Sequence, residues 1–250
     1  MKLFFTGAIL CLLTIFFFSK CTKTVTVTKT VTDTLTNTVT DTLTKKDTLI
    51  KTLVLQPGPD EGQNCLVNSS SIYAGLNNNG NPDINASTWT YAAQGGTDGV
   101  ARTYIKFIGL DGMPDSAIIL SATLSLYGIS VGTASPMGNS GYTGSPYSID
   151  NQCWLKRVTA DWNPDSVTWN NAPATTDANE TAIAASTSQW NYDVPNIDVT
   201  NLVNDMLNNQ NYGFCLELQT EQIYRSLSFA SCKVSDSTKW PKLVVTYKLH

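Results

Sequence analysis

The feature that most limits how this chain can fold is the shortness of its apolar runs. From residue 63 onward, stretches such as CLVNSSSIYAGL, TWTYAA, ARTYIKFIGL and IILSATLSLYGI are each cut off by Gly, Pro, Asn or Asp. Apolar and polar residues alternate within them, which is the two-residue period of a half-buried strand. The clearest case is IILSATLSLYGI, where Ala122, Leu124 and Leu126 fall on one face. The loops NNNGNPDINAS, DGMPDSA and the Gly/Ser/Pro/Tyr-rich stretch 132–150 supply the turns. Only DVTNLVNDMLNN has helical spacing. Leu202, Val203, Met206 and Leu207 form its apolar stripe, Asp198 or Thr200 can cap its start, and Gly213 follows its end. Many short strands and one brief helix predict an all-β fold, a jelly-roll-like β-sandwich.

The first residues do not belong to that fold. MKLFFTGAILCLLTIFFFSKC has one positive charge at Lys2, then an apolar run from Leu3 to Phe18. At helical rise the run spans roughly 24 Å, short for a bilayer crossing. A basic start, a short apolar core and a polar break describe a secretory signal over residues 1–20. The cysteine behind it, Cys21, resembles the lipidated first residue of a bacterial lipoprotein, although Lys20 stands where that motif has a small residue. The alternative is an uncleaved N-terminal anchor; both export the chain and tether its N-terminus.

From Thr22 to Thr44 every even position is threonine, and TVTDTLT occurs at 30–36 and again at 38–44. The period is that of a strand, but the tract has no hairpin turn and too little hydrophobicity to build a core. It reads as an extended stalk over residues 21–57, reaching on the order of 110 Å if fully stretched. Asp-Thr-Leu recurs at Asp33, Asp41 and Asp47. This resembles a bacterial O-glycosylation sequon, with Thr34, Thr42 and Thr48 as acceptors, and an unmodified spacer is the alternative. The turn-rich QPGPDEG then opens a domain over residues 58–250.

That domain is acidic: residues 60–250 hold nine Lys and Arg against seventeen Asp and Glu. Such a balance argues against nucleic acid and against polyanions as partners. The only histidine is the terminal His250, so no histidine triad, His-rich metal site or His base is available inside the fold. Cys65, Cys153, Cys215 and Cys232 include no Cys-x-x-Cys pair. In an exported protein an even count suggests disulfides, with three connectivities open. YGFCLEL and SLSFASC read as a hairpin with Phe214, Leu216, Leu218, Leu227 and Phe229 on one face. Cys215 and Cys232 then share the other, which favours Cys215–Cys232 and leaves Cys65–Cys153. Buried free thiols are the alternative.

Several blocks occur together in a recognisable order: ARTYIKF, ILSATLSLYG, LKRVTADWNPDSVTWNNAP, IDVTNLVNDMLNNQNYGFCLELQTE and FASC followed by WPKLVVTY. In that order they resemble the DNRLRE family, the disaggregatase-related repeat, which is similar to carbohydrate-binding module family 96. The resemblance runs from about Gly58 to Tyr247, and its specific pieces are DW…VTWNNAP and DVT-x-LV…NYGF. It implies a jelly-roll sandwich on secreted or surface proteins, some of which bind polysaccharides. Known binders grip the anionic polymer alginate through basic residues; the acidic balance here departs from that, so that specificity is not carried over.

Sugar sites use aromatic faces against pyranose rings, with polar side chains on the hydroxyls. The aromatics in loop-like context are Trp89 and Tyr91, Tyr142 and Tyr147, Trp190 and Tyr192. Each outer pair is two residues apart, the spacing of one strand face. Trp154, Trp162, Trp169 and Trp240 read as structural. Asn79, Asn81 and Asp83 in NNNGNPD could offer oxygens to a structural calcium, though the loop is no EF-hand. The acids lie mostly in turns, with no spacing that sets two carboxylates across a cleft. The sequence therefore predicts no enzyme and no cofactor beyond a possible calcium. It predicts a glycan-binding protein anchored to a membrane at the cell surface, the alternative being a structural surface component.

Overall fold

The structure, a computed structural model, describes residues 50–130 and 137–249. The described residues form eleven strands and one helix. They are β1 (Ile50–Leu55), β2 (Gln63–Asn68), β3 (Asp83–Trp89), β4 (Gly99–Lys106), β5 (Ala117–Leu126), β6 (Cys153–Val158), β7 (Thr175–Ile183), β8 (Val194–Asp198), α1 (Thr200–Asn208), β9 (Phe214–Leu218), β10 (Arg225–Ala230) and β11 (Lys242–Leu249). One sheet has four strands in the order β1-β11-β5-β8; the other has seven, β10-β3-β4-β9-β6-β7 with β2 beside β4. Every pairing is antiparallel. The all-β sandwich is the predicted fold class.

The core lies between the sheets. Ala122, Leu124 and Leu126 of β5 and Leu243 and Val245 of β11 meet Ile84, Leu155, Phe214, Leu216, Leu227 and Phe229 of the larger sheet. Burying each of the large side chains stabilises by about 1.5–3 kcal/mol. Helix α1 adds Leu202, Val203 and Met206 to the same cluster. Its start is held by Asp198, whose Oδ1 accepts from the N–H and hydroxyl of Thr200 at 2.9 and 2.6 Å. A second, smaller cluster covers the outer face of the larger sheet, where Cys65, Val67, Tyr104, Val158, Trp162, Val167 and Cys215 pack together.

Strand β4 is where the larger sheet divides. Ala101 pairs with Asn68 of β2 and Ser87 of β3, while Thr103 pairs with Leu66 of β2 and Leu216 of β9. So β2 takes one edge of β4, and β3 and β9 share the other end to end. Where β3 parts from β4, the Thr103 hydroxyl replaces the ladder. It accepts from Asn85 N–H and donates to Asn85 C=O, both at 2.9 Å and both buried.

Three expectations are corrected. Strand β1 lies within residues assigned to the stalk. Leu53 and Leu55 explain this: they pack against the core while the strand pairs with β11. Next, β9 and β10 are not hairpin partners, since β10 pairs with β3 while β9 lies between β4 and β6. Finally, all four described cysteines are free and buried. Cys65 and Cys153 lie three strand spacings apart, about 14 Å, beyond disulfide reach. Cys215 faces the outer cluster, whereas Cys232 lies past β10 and donates its S–H to Asn64 Oδ1 at 2.7 Å.

Candidate functional site

Antiparallel pairing fixes which strand ends meet. Trp89 pairs with Gly99, Thr88 with Arg225, and Cys153 with Leu218. One end of the larger sheet therefore gathers the finish of β3 and β9 and the start of β4, β6 and β10. Aromatic rings collect there. Trp89 meets Tyr147 edge-on at 5.0 Å and Tyr224 at 5.4 Å, and Tyr147 stacks on Tyr224 at 4.8 Å with 22° between planes. All three rings are half-buried. Beside them Met137, Tyr142, Pro146 and Gln189 line a shallow depression with Trp89 and Tyr147.

Polar residues fix the loop that brings Tyr142 and Tyr147 to this end. Ser228 N–H donates to Asn139 Oδ1 at 2.8 Å, and Ser226 N–H to Ser140 Oγ at 2.9 Å. Asn151 Nδ2 donates to Ser226 C=O at 2.6 Å. These bonds occupy the outer edge of β10. Beneath them Asn85, Ser87, Ser226 and Ser228 form a buried polar patch in which Asn85 Nδ2 donates to Ser228 Oγ at 2.7 Å. At the rim Arg225 donates to Asp150 C=O at 2.8 Å and to Gln222 Oε1 at 3.0 Å. Stacked and edge-on rings flanked by amide, phenol and guanidinium donors suit the apolar faces and hydroxyls of sugars.

Three of the six predicted aromatics, Trp89, Tyr142 and Tyr147, thus share this end. Trp190 lies alongside, where a Cβ on Gly138 would come 2.9 Å from its ring. Tyr91 belongs to a neighbouring pair: its ring meets Tyr73 edge-on at 5.1 Å and its hydroxyl accepts from Asn68 at 2.7 Å. Burial pushes that phenol above its ordinary pKa. Tyr192 turns inward against the core and donates to Ala185 C=O at 3.2 Å. The shared-face expectation fails for both pairs. Tyr91 lies beyond the end of β3, and Trp190 and Tyr192 precede β8, with Asn191 at φ 56° between them.

Tyr224 was not anticipated. It sits in the left-handed region at φ 68°, where the other described non-glycine residues are asparagines, and its N–H donates to Thr88 C=O at 2.8 Å. A bulky residue held there is costly and is kept only where its surroundings demand it. No local pattern marks it, because its place follows from the pairing of β10 with β3.

The calcium candidates turn to different partners. Asn79 donates to Asp165, Asn81 Oδ1 accepts from Asp83 N–H, and Asp83 is buried at the start of β3. Among the described residues no group of three or more His, Cys, Asp or Glu could hold a metal ion. Cys21, Thr34, Thr42 and Thr48 lie outside the described residues. Of the tryptophans read as structural, Trp162 is buried and bonds Tyr212 C=O at 2.8 Å, and Trp240 bonds Val234 C=O at 2.8 Å.

The outer face of the larger sheet carries an ion-pair row. Glu217 lies between Arg102, at 3.3 Å, and Lys156, at 2.8 Å; Arg102 also meets Glu221 at 2.7 Å and Lys156 meets Asp177 at 2.7 Å. Burial pulls the Lys156 ammonium down, but its bonds to Asp177 and Glu217 outweigh that and hold its pKa above the ordinary lysine value. Both cations are neutralised within the protein, and Arg102 also lies over the Trp169 ring at 5.4 Å. The row offers little to an anionic polymer.

A two-layer antiparallel sandwich with aromatic and polar side chains gathered on the loops at one end is a carbohydrate-binding-module-like domain. The sequence model of carbohydrate-binding module family 96 matches residues 77–247, and the chain belongs to that family. No curated protein matches the chain significantly.

Proposed function

We propose that this protein is a non-catalytic glycan-binding module displayed outside the cell. A lipid on Cys21 tethers it to the membrane, and the threonine-rich segment holds the sandwich at a distance. The ligand is a neutral or weakly charged polysaccharide, which lies across Trp89, Tyr147 and Tyr224. The family membership supports carbohydrate binding. The observation that carries the site is the convergence of three half-buried rings from β3, the 137–151 loop and the start of β10. The paired state of Arg102 and Lys156 supports the choice of a neutral ligand.

The test is affinity electrophoresis of the full chain in neutral detergent through gels containing single polysaccharides, neutral and anionic. Retardation by a neutral polymer is expected. It should weaken about tenfold or more, equivalent to about 1.4 kcal/mol, in Trp89→Ala and Tyr224→Ala. Tyr192→Phe, which keeps the inward ring, should bind as the parent does. Retardation that survives both aromatic truncations moves the site elsewhere, and no retardation by any polymer refutes glycan binding.

A further inference from the structure

The four-stranded sheet ends at β1, and among the described residues nothing pairs with that strand's outer edge. An open edge of unpaired N–H and C=O groups is a template for another strand. β1 also carries the two most exposed large apolar side chains of the described chain, Ile50 at 61% and Val54 at 57%. By strand alternation both lie on the face opposite Leu53 and Leu55, which pack on the core. Ile108, itself exposed, continues the apolar surface from Val54 along a groove of about 500 Å³ floored by Leu55 and Phe107. Apolar groups concentrated in this way mark a surface that meets another molecule.

The order of residues along the strand identifies that molecule. In an antiparallel pair, residues directly opposite one another share a face. Two copies of β1 paired about Thr52 place Ile50 of each opposite Val54 of the other, so the four exposed side chains pack side by side on one face of the joined sheet. Lys51, the strand's only charge, then stands across from Leu53 of the second copy. Moving the centre to Lys51 would set the two ammonium groups against each other, and moving it to Leu53 would place Ile50 against Gln56. Only the Thr52 register satisfies both the apolar and the charged positions. We infer that β1 is a self-association edge. Two copies join antiparallel about Thr52 and fuse their four-stranded sheets into one continuous sheet, by an isologous contact. β1 precedes the residues 77–247 matched by the family model.

The register is testable by cysteine crosslinking in the full chain. Facing Cβ atoms in such a pair lie about 4.5–5.5 Å apart, within easy reach of a disulfide after small adjustment. Thr52→Cys should therefore oxidise to a dimer on a non-reducing gel. Ile50→Cys alone should stay at the parent's level, and Ile50→Cys mixed with Val54→Cys should crosslink. The four cysteines of the sandwich are buried, and the parent chain, sharing Cys11 and Cys21, measures the background. Sedimentation of the parent in detergent should give a dimer, and Val54→Lys a monomer. A Thr52→Cys chain that crosslinks no more than the parent overturns the proposal. So does an Ile50→Cys chain that crosslinks as readily as Thr52→Cys, or a parent that sediments as a monomer.

Discussion

Replacing Thr103 by valine tests whether the division of the larger sheet is held as described. The two side chains have nearly the same shape, so the substitution removes one hydroxyl and little else. That hydroxyl is the partner of both Asn85 N–H and Asn85 C=O, each at 2.9 Å, where Asn85 and Thr103 are fully buried. Each orphaned backbone group costs about 1–3 kcal/mol. The added methyl of valine returns about 0.8 kcal/mol by burial. The expected loss is thus about 1–5 kcal/mol. For a unit of this size that lowers Tm by roughly 2–20 °C. Thr103→Ser keeps the hydroxyl and gives up one methyl, so it should cost about 1 kcal/mol. The assay is thermal and urea unfolding of both variants beside the parent. If Thr103→Val melts within about 2 °C of the parent, or no lower than Thr103→Ser, the hydroxyl does not carry the two bonds and the account of the division is wrong.

Other expectations are narrower. Gly213 has φ 83°, and a Cβ there would lie 2.2 Å from the Ile105 carbonyl oxygen; Gly213→Ala should destabilise by at least about 2 kcal/mol in urea unfolding. Native protein should leave Cys65, Cys153, Cys215 and Cys232 unreactive to a thiol reagent at pH 8, and denaturant without reductant should release all four. Detection of fewer than these four would show a disulfide. Burial raises the pKa of these thiols above their ordinary value near 9.0. A raised folded-state value means their contribution to stability is full below about pH 9. It is lost as pH rises beyond that, so unfolding midpoints should fall on the alkaline side, and a Cys153→Ala chain should show a shallower fall.

Much of the fold could be read from local pattern because local pattern reports burial. The inward faces of β5, β9 and β10 and the apolar stripe of α1 each repeat at their own period, and the core contains the residues so picked out. Partner choice has no such local signature. The segments around Cys215 and Cys232 looked like a hairpin because they follow each other in sequence, yet β3 separates β10 from β4 and β9 is inserted beside it. The cysteine pairing failed with that assumption. β1 was absorbed into the threonine tract for a similar reason. Its alternation resumes the tract's phase after Lys45-Lys46, and the apolar pair Leu53 and Leu55 distinguishes a strand that can reach a core from one that cannot.

The site shows the same division between composition and topology. An aromatic in a turn-rich context is visible in sequence, but whether its ring faces outward depends on what the chain does on either side. Trp89 stays at the rim because β3 ends there and β10 begins opposite it. Tyr192, in an equally polar stretch, turns inward because β8 must enter the sheet at Val194 and brings the ring onto the core. Tyr224 completes the cluster from a turn that carries no sugar-binding signature at all, and the signal that betrays it is its backbone. A tyrosine in the left-handed region gives up conformational energy to place its ring against Tyr147, and a glycine or asparagine would have closed the same turn more cheaply. The turn itself does not require a tyrosine there, which agrees with the role proposed for its ring at the rim.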